Sequence, residues 1–490
     1  MASDGPRALL GNRAMFTFAV EGCDDELRVV RFVGREAISE LFEFNLELAS
    51  STVPLDTLVG KAAVLSIEGV HGIRYVHGLV CEAGYIGESS SYTLYRVTLV
   101  PALWRLRLRT NCRIFQQQTT PQILAKVLEG AGIPRGNYRL NLQASYAPRD
   151  YCVQYRESDL DFICRLMEDA GIYYFIEHQE NKGVLVVTDR GDGGDPIAGN
   201  STLRFAIEHE NERISRFHLS ESMRPQRVSL RDMNLHQPDQ SMDASSGTGA
   251  ELEIYDYPGA FQEVGKGAPH KGSQQALLRL EALQASRRRG GGTSDSPRLT
   301  SGFVFKLADT ARDHLEGDYR VIRVVHRGEQ PQVLDEGATG TFHYSNEFEC
   351  NDKSVPYRAP RVTPRPFVRG AQTATVVGPG GEEVHVVVRS GYDVRQPYYV
   401  NIAPNGNGSG GYDATAAGKA PIQGVWYTIK ALEQPAGTFR LKFWERGTPE
   451  PAWQVTYVDA AMAADGLACG NTGTAAGTGV GDGWLWQPGI

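Results

Sequence analysis

Residues 155–176 read YRESDLDFICRLMEDAGIYYFI, and five carboxylates (Glu157, Asp159, Asp161, Glu168 and Asp169) stand there with Arg156 and Arg165. Paired carboxylates can divide general acid and general base work when they converge in a cleft that separates their pKa values. The spacing offers a plainer account. Ser158 suits an N-cap, because its hydroxyl can accept from an orphan N–H of the first turn. Leu160, Ile163 and Met167 recur at helical spacing, and Phe162, Leu166 and Ala170 widen the apolar stripe. Asp159 and Asp161 fall in the first turn, where the helix dipole favours negative charge. Asp161 and Arg165 are four apart and can pair. Gly171 fits the left-handed position past the helix end, and Ile172 to Ile176 reads as a strand. The charges are therefore expected on a solvated helix face.

Other reactive residue types give less. Five of the six tryptophans lie between 426 and 486. Trp426, Trp444 and Trp453 could stack on sugars, since indole offers a large flat face; filling a core is the simpler reading. Glu433, Glu445, Glu450, Asp459, Asp465 and Asp482 could serve glycoside hydrolysis, but no two form a recognisable pair on one strand face. No G-x-S-x-G occurs there, no histidine follows His385, and GPGGEE at 378–383 lacks the Lys-Ser/Thr ending of a phosphate loop. His71 and His77 would share a face on one continuous strand, and zinc needs further ligands. The seven cysteines are scattered without any C-x-x-C, which fits reduced thiols. No catalytic residue, cofactor or metal is assigned.

The positioning elements are mostly strands. Residues 16–110 are β-rich, with Tyr95, Val97 and Leu99 alternating against Arg96 and Thr98. Thr119 or Thr120 caps a helix with Pro121 in its first turn and Ile123, Leu124, Val127 and Leu128 inward, ending near Gly130 or Gly132. A second β-rich region starts near 172, and RGDGGDP at 190–196 is a polar turn whose RGD carries almost no information. Residues 241–251, SMDASSGTGAE, read as a mobile loop. A helix is expected over 272–287, with Leu277, Leu280 and Leu283 on one side; Arg287 to Arg289 and the glycines after them read as a solvated loop. GFVFKL and YRVIRVVH are strands. VPYRAPRVTPRPF, 355–367, holds four prolines and reads as an extended linker and domain boundary. In the tail, three period-2 strands around Tyr427, Phe439 and Val455 form an antiparallel meander.

At 490 residues, two to four domains are expected. A net charge of −8 argues against nucleic acid as the main partner. No signal peptide or membrane-spanning run is read, so synthesis in the cytoplasm is expected.

Several runs, in order, resemble the N-terminal hub of VgrG, the spike protein family of bacterial type VI secretion systems. They are VRFVGREAISELFEFNLEL (30–48), PALWRLRLRTNCRIFQQQTTPQIL (101–124), YCVQYRESDLDFICRLMEDAGIYYFI (151–176), YDYPG (255–259) and YSNEFEC (344–350). VPYRAPRVTPRPFVRGAQTATVVGPGGEEV (355–384) resembles the passage from hub into an oligonucleotide/oligosaccharide-binding barrel. The resemblance implies a phage-tail-hub fold, mainly β with a few helices (α+β), in which each chain supplies two similar β-barrels. It implies a homotrimer that presents six-fold pseudo-symmetry to a hexameric tube protein within a baseplate, delivered outward when a sheath contracts. The implied division is 1–350 as hub, 351–390 as linker and start of an OB-like barrel, and 391–490 as a glycine- and tryptophan-rich β tail. The family pattern is departed from after about 388, and no fixed-period repeat occurs in 391–490. The barrel is therefore expected to be interrupted and the β-helix needle absent, which puts in question both the strength of trimerisation and a tip protein docked on the needle. FRLKFWERGTPEPAWQVTYVDAA (439–461) is similar to a strand pair of concanavalin- or laminin-G-like jelly rolls, so the tail is expected to be a partial sandwich. It is read as cargo or an envelope-contacting module, with an enzymatic toxin or a glycan-binding adhesin as alternatives.

Overall fold

Inward–outward alternation, interrupted by bulges at 29–31, 80–82 and 85–87, builds the first barrel of the computed structural model. The structure describes residues 15–367, apart from 90, 150, 192–193, 207–211, 234–240, 250, 262–270, 311 and 335–341, together with strand backbones between 384 and 484. The opening strands are β1 (Phe16–Val20), β2 (Leu27–Ala37), β3 (Glu43–Ser50), β4 (Ala62–Gly69), β5 (Gly72–Glu88) and β6 (Thr93–Val100). They pair in the order β1-β4-β5-β6-β3-β2, and β2 returns to β1 through Thr17–Arg28 and Phe18–Leu27. That closes a six-stranded barrel with no free edge. Phe16, Phe32, Phe44, Leu46, Leu65 and Val97 fill it. Phe16 meets Phe32 edge-on at 5.1 Å. Gly34 leaves its inward space to the Phe44 ring, which any side chain there would strike.

An α/β insertion follows: β7 (Thr110–Phe115), α1 (Thr120–Gly130), β8 (Tyr138–Asn141), β9 (Cys152–Ser158), α2 (Asp159–Asp169), β10 (Tyr173–His178) and β11 (Gly183–Thr188). Thr119 and Gln122 form a capping box at α1, and Ser158 Oγ accepts from the Asp161 N–H at 3.0 Å at α2. Ile123, Leu124 and Val127 of α1 pack with Phe162, Ile163 and Leu166 of α2. Gly171, at φ +68°, turns the chain into β10.

The second barrel starts with β12 (Thr202–Arg204) and β13 (Ile214–Glu221). The chain then leaves it for a small sheet of β14 (Arg227–Asp232), β15 (Met242–Gly247) and β16 (Glu253–Asp256), which packs on α3 (Gly272–Gln284). It returns with β17 (Arg288–Ser294), β18 (Val304–Ala308), β19 (Gly317–Glu329) and β20 (His343–Asp352). These six barrel strands run β12-β18-β19-β20-β17-β13, and among the described residues one bridge, Phe205 to Ile214, completes the ring. β19 joins the two barrels: Gly317–Arg320 pair with β18, whereas Arg323–Glu329 pair with β2.

Several expectations are corrected. The charges of α2 are not a solvated face: Asp159, Arg165 and Asp169 are buried, and Arg165 bonds Glu157, not Asp161. Packing on both sides of the short helix takes them out of water, and partners from other elements compensate. Residues 242–247 are a strand, with Met242 and Ala244 inward in a run too polar to show it. Arg288 onward is strand, not loop, because glycines 290–292 let neighbouring strands close in; a side chain at Gly292 would strike the Arg216 carbonyl. Leu277 is exposed, and Ala276 with Leu280 forms the buried side of α3. His71 lies in the turn between β4 and β5, so it shares no strand with His77. The proline-rich segment is extended, but Tyr357 and Ala359 are buried against Tyr173 and Phe175 of β10.

Beyond residue 383 the described backbone comprises β21 (Val384–Val388), β22 (Tyr398–Ala403), β23 (Tyr412–Asp413), β24 (Tyr427–Gln434), β25 (Thr438–Glu445), β26 (Val455–Val458) and β27 (Val480–Trp484). The expected antiparallel meander is there as β24-β25-β26, with β27 added beside β24. Among the described residues no helix is long and apolar enough to cross a membrane.

Candidate functional site

Titratable side chains converge where the barrels meet. Glu36 is on β2, Arg74 on β5, His326 on β19, and Tyr344 and Asn346 on β20. Glu36 Oε1 lies 2.9 Å from His326 Nε2, and Tyr344 Oη lies 2.7 Å from His326 Nδ1. Carboxylate, imidazole and hydroxyl in line is the arrangement of a nucleophilic triad. The electrostatics argue otherwise. Burial alone would raise the Glu36 carboxyl, but Arg74 beside it, with His326, holds it at about 2. Burial, reinforced by Arg74, pushes His326 down to about 4, so the ring is neutral near pH 7. Its Nε2–H then donates to Glu36 while Nδ1 accepts from Tyr344. Burial pushes the Tyr344 phenol up, so no activated nucleophile results.

The same residues lock one barrel to the other. Arg74 Nη1 donates to the carbonyls of Pro297 and Leu299 at 2.8 and 2.9 Å, in the segment leading into β18. Within the second barrel, Asn346 Nδ2 donates to the Ser296 carbonyl at 2.7 Å, and Glu212 accepts from Ser296 at 3.1 Å and pairs with Arg298. Glu212 also accepts, at 3.3 Å, from the His71 N–H in the β4–β5 turn of the first barrel. A fully buried ion pair tolerates little movement, because separating it strands a charge in low dielectric. The arrangement fixes geometry; it does not expose chemistry.

The carboxylate-rich run 155–176 behaves alike. Asp159 at the start of α2 accepts from Gln154 Nε2 at 2.8 Å and pairs with Arg113 at 2.5 Å and Arg109 at 3.0 Å. Glu157 takes Arg165 through two bonds of 2.8 and 2.6 Å, and Arg165 also donates to the Val153 carbonyl. These bonds tie β7, β9 and α2 into one block.

The tryptophan candidates are not assembled by the described structure. Trp444 lies on β25, and only its backbone is described; Trp426 and Trp453 lie outside the described residues. Among the described residues no three His, Cys, Asp or Glu side chains are placed to hold a metal ion. The junction cluster was missed from sequence. Its signal was the period of β2: Val30, Phe32, Gly34 and Glu36 all face inward, which sets a carboxylate on a core face.

Comparison with known proteins agrees with this architecture. The phage tail baseplate hub (GPD) family matches residues 35–332. The type VI secretion system spike protein VgrG4b of Pseudomonas aeruginosa is 36% identical over 394 residues, covering 76% of this chain and 48% of its own. The actin cross-linking toxin VgrG1 of Vibrio cholerae is 34% identical over 400 residues, covering 75% of this chain and 35% of its own. The chain thus spans about half the length of VgrG4b and about a third of that of the actin cross-linking toxin. The solved structure of the E. coli c3393 protein, described as a component of the type VI secretion system similar to the T4 bacteriophage tail proteins gp27 and gp5, superposes with a TM-score of 0.58 at 18% identity. It covers 79% of this chain and 99% of that one, and so shares the fold. The chain belongs to the phage tail baseplate hub family, with type VI secretion spike proteins among its relatives.

Proposed function

We propose that the protein is the structural hub of a type VI secretion spike. In this reading it assembles as a homotrimer, seats the hexameric tube protein on a baseplate, and carries its C-terminal region as cargo or as an envelope-contacting module. It is made in the cytoplasm and delivered outward by the apparatus. The observation that carries this is the pair of six-stranded barrels in each chain. Three such chains present six similar rings, which matches a hexamer by symmetry. The buried ion pairs suit a part that must hold its shape under load. Residues 1–350 form the hub in this reading, 351–390 the passage toward an OB-like barrel, and 391–490 the tail.

The test is co-assembly with purified tube rings. One trimer should bind one hexamer, and a monomer that ignores the ring would refute the reading. A second reading, an enzymatic tail, is favoured by one relative bearing the name of an actin cross-linking toxin. Residues 391–490 expressed in a bacterial periplasm should then harm the cell, and Glu445→Ala or Asp459→Ala should relieve it. A glycan-binding tail would instead bind a sugar panel and lose that binding in Trp444→Ala. A structural tail leaves both assays blank. A tip protein is not part of the proposal.

A further inference from the structure

Helix α2 ends against its own dipole. Glu168 and Asp169 are its last residues, where negative charge is unfavourable, and its last turn has no basic residue. The compensation comes from far along the chain. Arg361 Nε lies 3.2 Å from Asp169 Oδ1, and Arg365 pairs with the same oxygen. Glu168 accepts from the Thr363 hydroxyl at 2.6 Å and from its N–H at 3.1 Å. Arg358 donates to Glu281 of α3 at 2.8 Å and to the Asp189 carbonyl. Arg361 also approaches Asp256 of β16, at 3.8 Å, a carboxylate that Arg279 of α3 holds at 2.6 Å. Three arginines of one extended segment thus meet three carboxylates, Asp169 of α2, Glu281 of α3 and Asp256 of β16, while Thr363 of the same segment holds Glu168. The carboxylates lie within the span that the hub family matches, 35–332, and the arginines lie beyond it.

We infer that this acidic face is a recognition site for an arginine-bearing extended strand, and that residues 355–365 occupy it as a clasp that opens without unfolding the hub. Tyr357 anchors the start of the segment, with its ring edge-on to Tyr173 at 5.1 Å and its N–H on the Gly191 carbonyl at 2.8 Å. Prolines 356, 360, 364 and 366 hold the backbone extended, so little conformational entropy is lost on docking. The clasp fixes where the C-terminal region leaves the hub, so that a pull on it is borne by α2 and α3. The inference stands on this geometry and does not depend on the secretion role.

Limited trypsin digestion of the full chain tests it, reading the new terminus at Val362 by mass spectrometry. Val362 is 73% exposed, so docking, and not occlusion of that side chain, must protect the Arg361–Val362 bond. In the unaltered chain that bond should resist cleavage. Arg365→Gln keeps the cleavage site and removes one clasp contact, and Asp169→Asn removes the shared acceptor charge from the hub side. Each should speed the initial cut by about tenfold or more, the change in open population expected from losing charge-assisted hydrogen bonds. The midpoint of hub unfolding should stay within about 3 °C. Arg327→Gln, a control in an exposed pair with Glu347, should change nothing. Rapid cutting in the unaltered chain, unchanged rates in both variants, or cuts that rise equally throughout the hub would each overturn the clasp.

Discussion

The first barrel closes through paired residues of β1 and β2, while the second closes, among the described residues, through one bridge between Phe205 and Ile214. Their interiors are alike in kind: Phe16, Phe32 and Phe44 with leucines fill the first, and Phe305, Tyr319 and Phe348 with Leu203 and Leu307 fill the second. What sets the second apart is a run of three successive glycines, 290–292, where backbone and ring atoms press from both sides. The two are held in register by charged groups at their shared boundary. Six-stranded rings can therefore be reached by different local rules, provided the strand linking them, β19, satisfies both.

The comparison can be broken most directly at the boundary. Glu36→Ala leaves Arg74 buried without its carboxylate and should cost about 3–5 kcal/mol. Because the loss falls on both barrels, chemical denaturation should show them destabilised together; loss of one alone would mean that the cluster does not couple them. Gly292→Ala should cost about 3 kcal/mol, since the added methyl meets the Arg216 carbonyl and backbone must move. Its effect should appear first in the second barrel, as lost amide protection along β13 and β20.

Acid sharpens the picture. His326 and Glu36 both bind fewer protons folded than unfolded, so stability rises with pH. The His326 share is complete above about 6.5 and is lost as pH falls through about 4. The Glu36 share is complete above about 4.5 and is lost as pH falls through about 2. His178, buried beside Phe42 and held at about 3, adds to the same loss. Thermal midpoints measured from pH 7 to 4 should therefore fall, and His326→Gln should flatten that fall in part. A smaller difference lies in the seams. The Ala206 N–H, bonded to Ile214 at 3.2 Å, should exchange faster than the amides of β1. Equal protection would mean that the single bridge closes its barrel as firmly as strand pairing does.

Much of this was readable in the chain, for physical reasons that can be named. Both capped helices, α1 and α2, carry their start and stop signals in sequence, and the first barrel's strands alternate over most of their length. The tail meander was visible in the alternation around Tyr427, Phe439 and Val455. The failures share a cause: burial is a tertiary property. Arg165 and Asp159 look like surface charges until β7 and β9 cover them. β15 alternates only through Met242 and Ala244, and β17 begins with arginines and glycines that elsewhere spell a loop. Glu36, Arg74 and His326 come from three strands far apart in sequence, so no local spacing announces them. The Asp169 clasp was equally hidden, although two carboxylates at a helix end without a neighbouring cation hinted that compensation must come from elsewhere.

The most direct test of the hub account is the solution mass of the full chain, by light scattering, beside a chain ended at Arg389. The account predicts that the full chain has three times its 53.8 kDa mass, whether or not the shortened form does the same. A monomeric full chain across the micromolar range would contradict it.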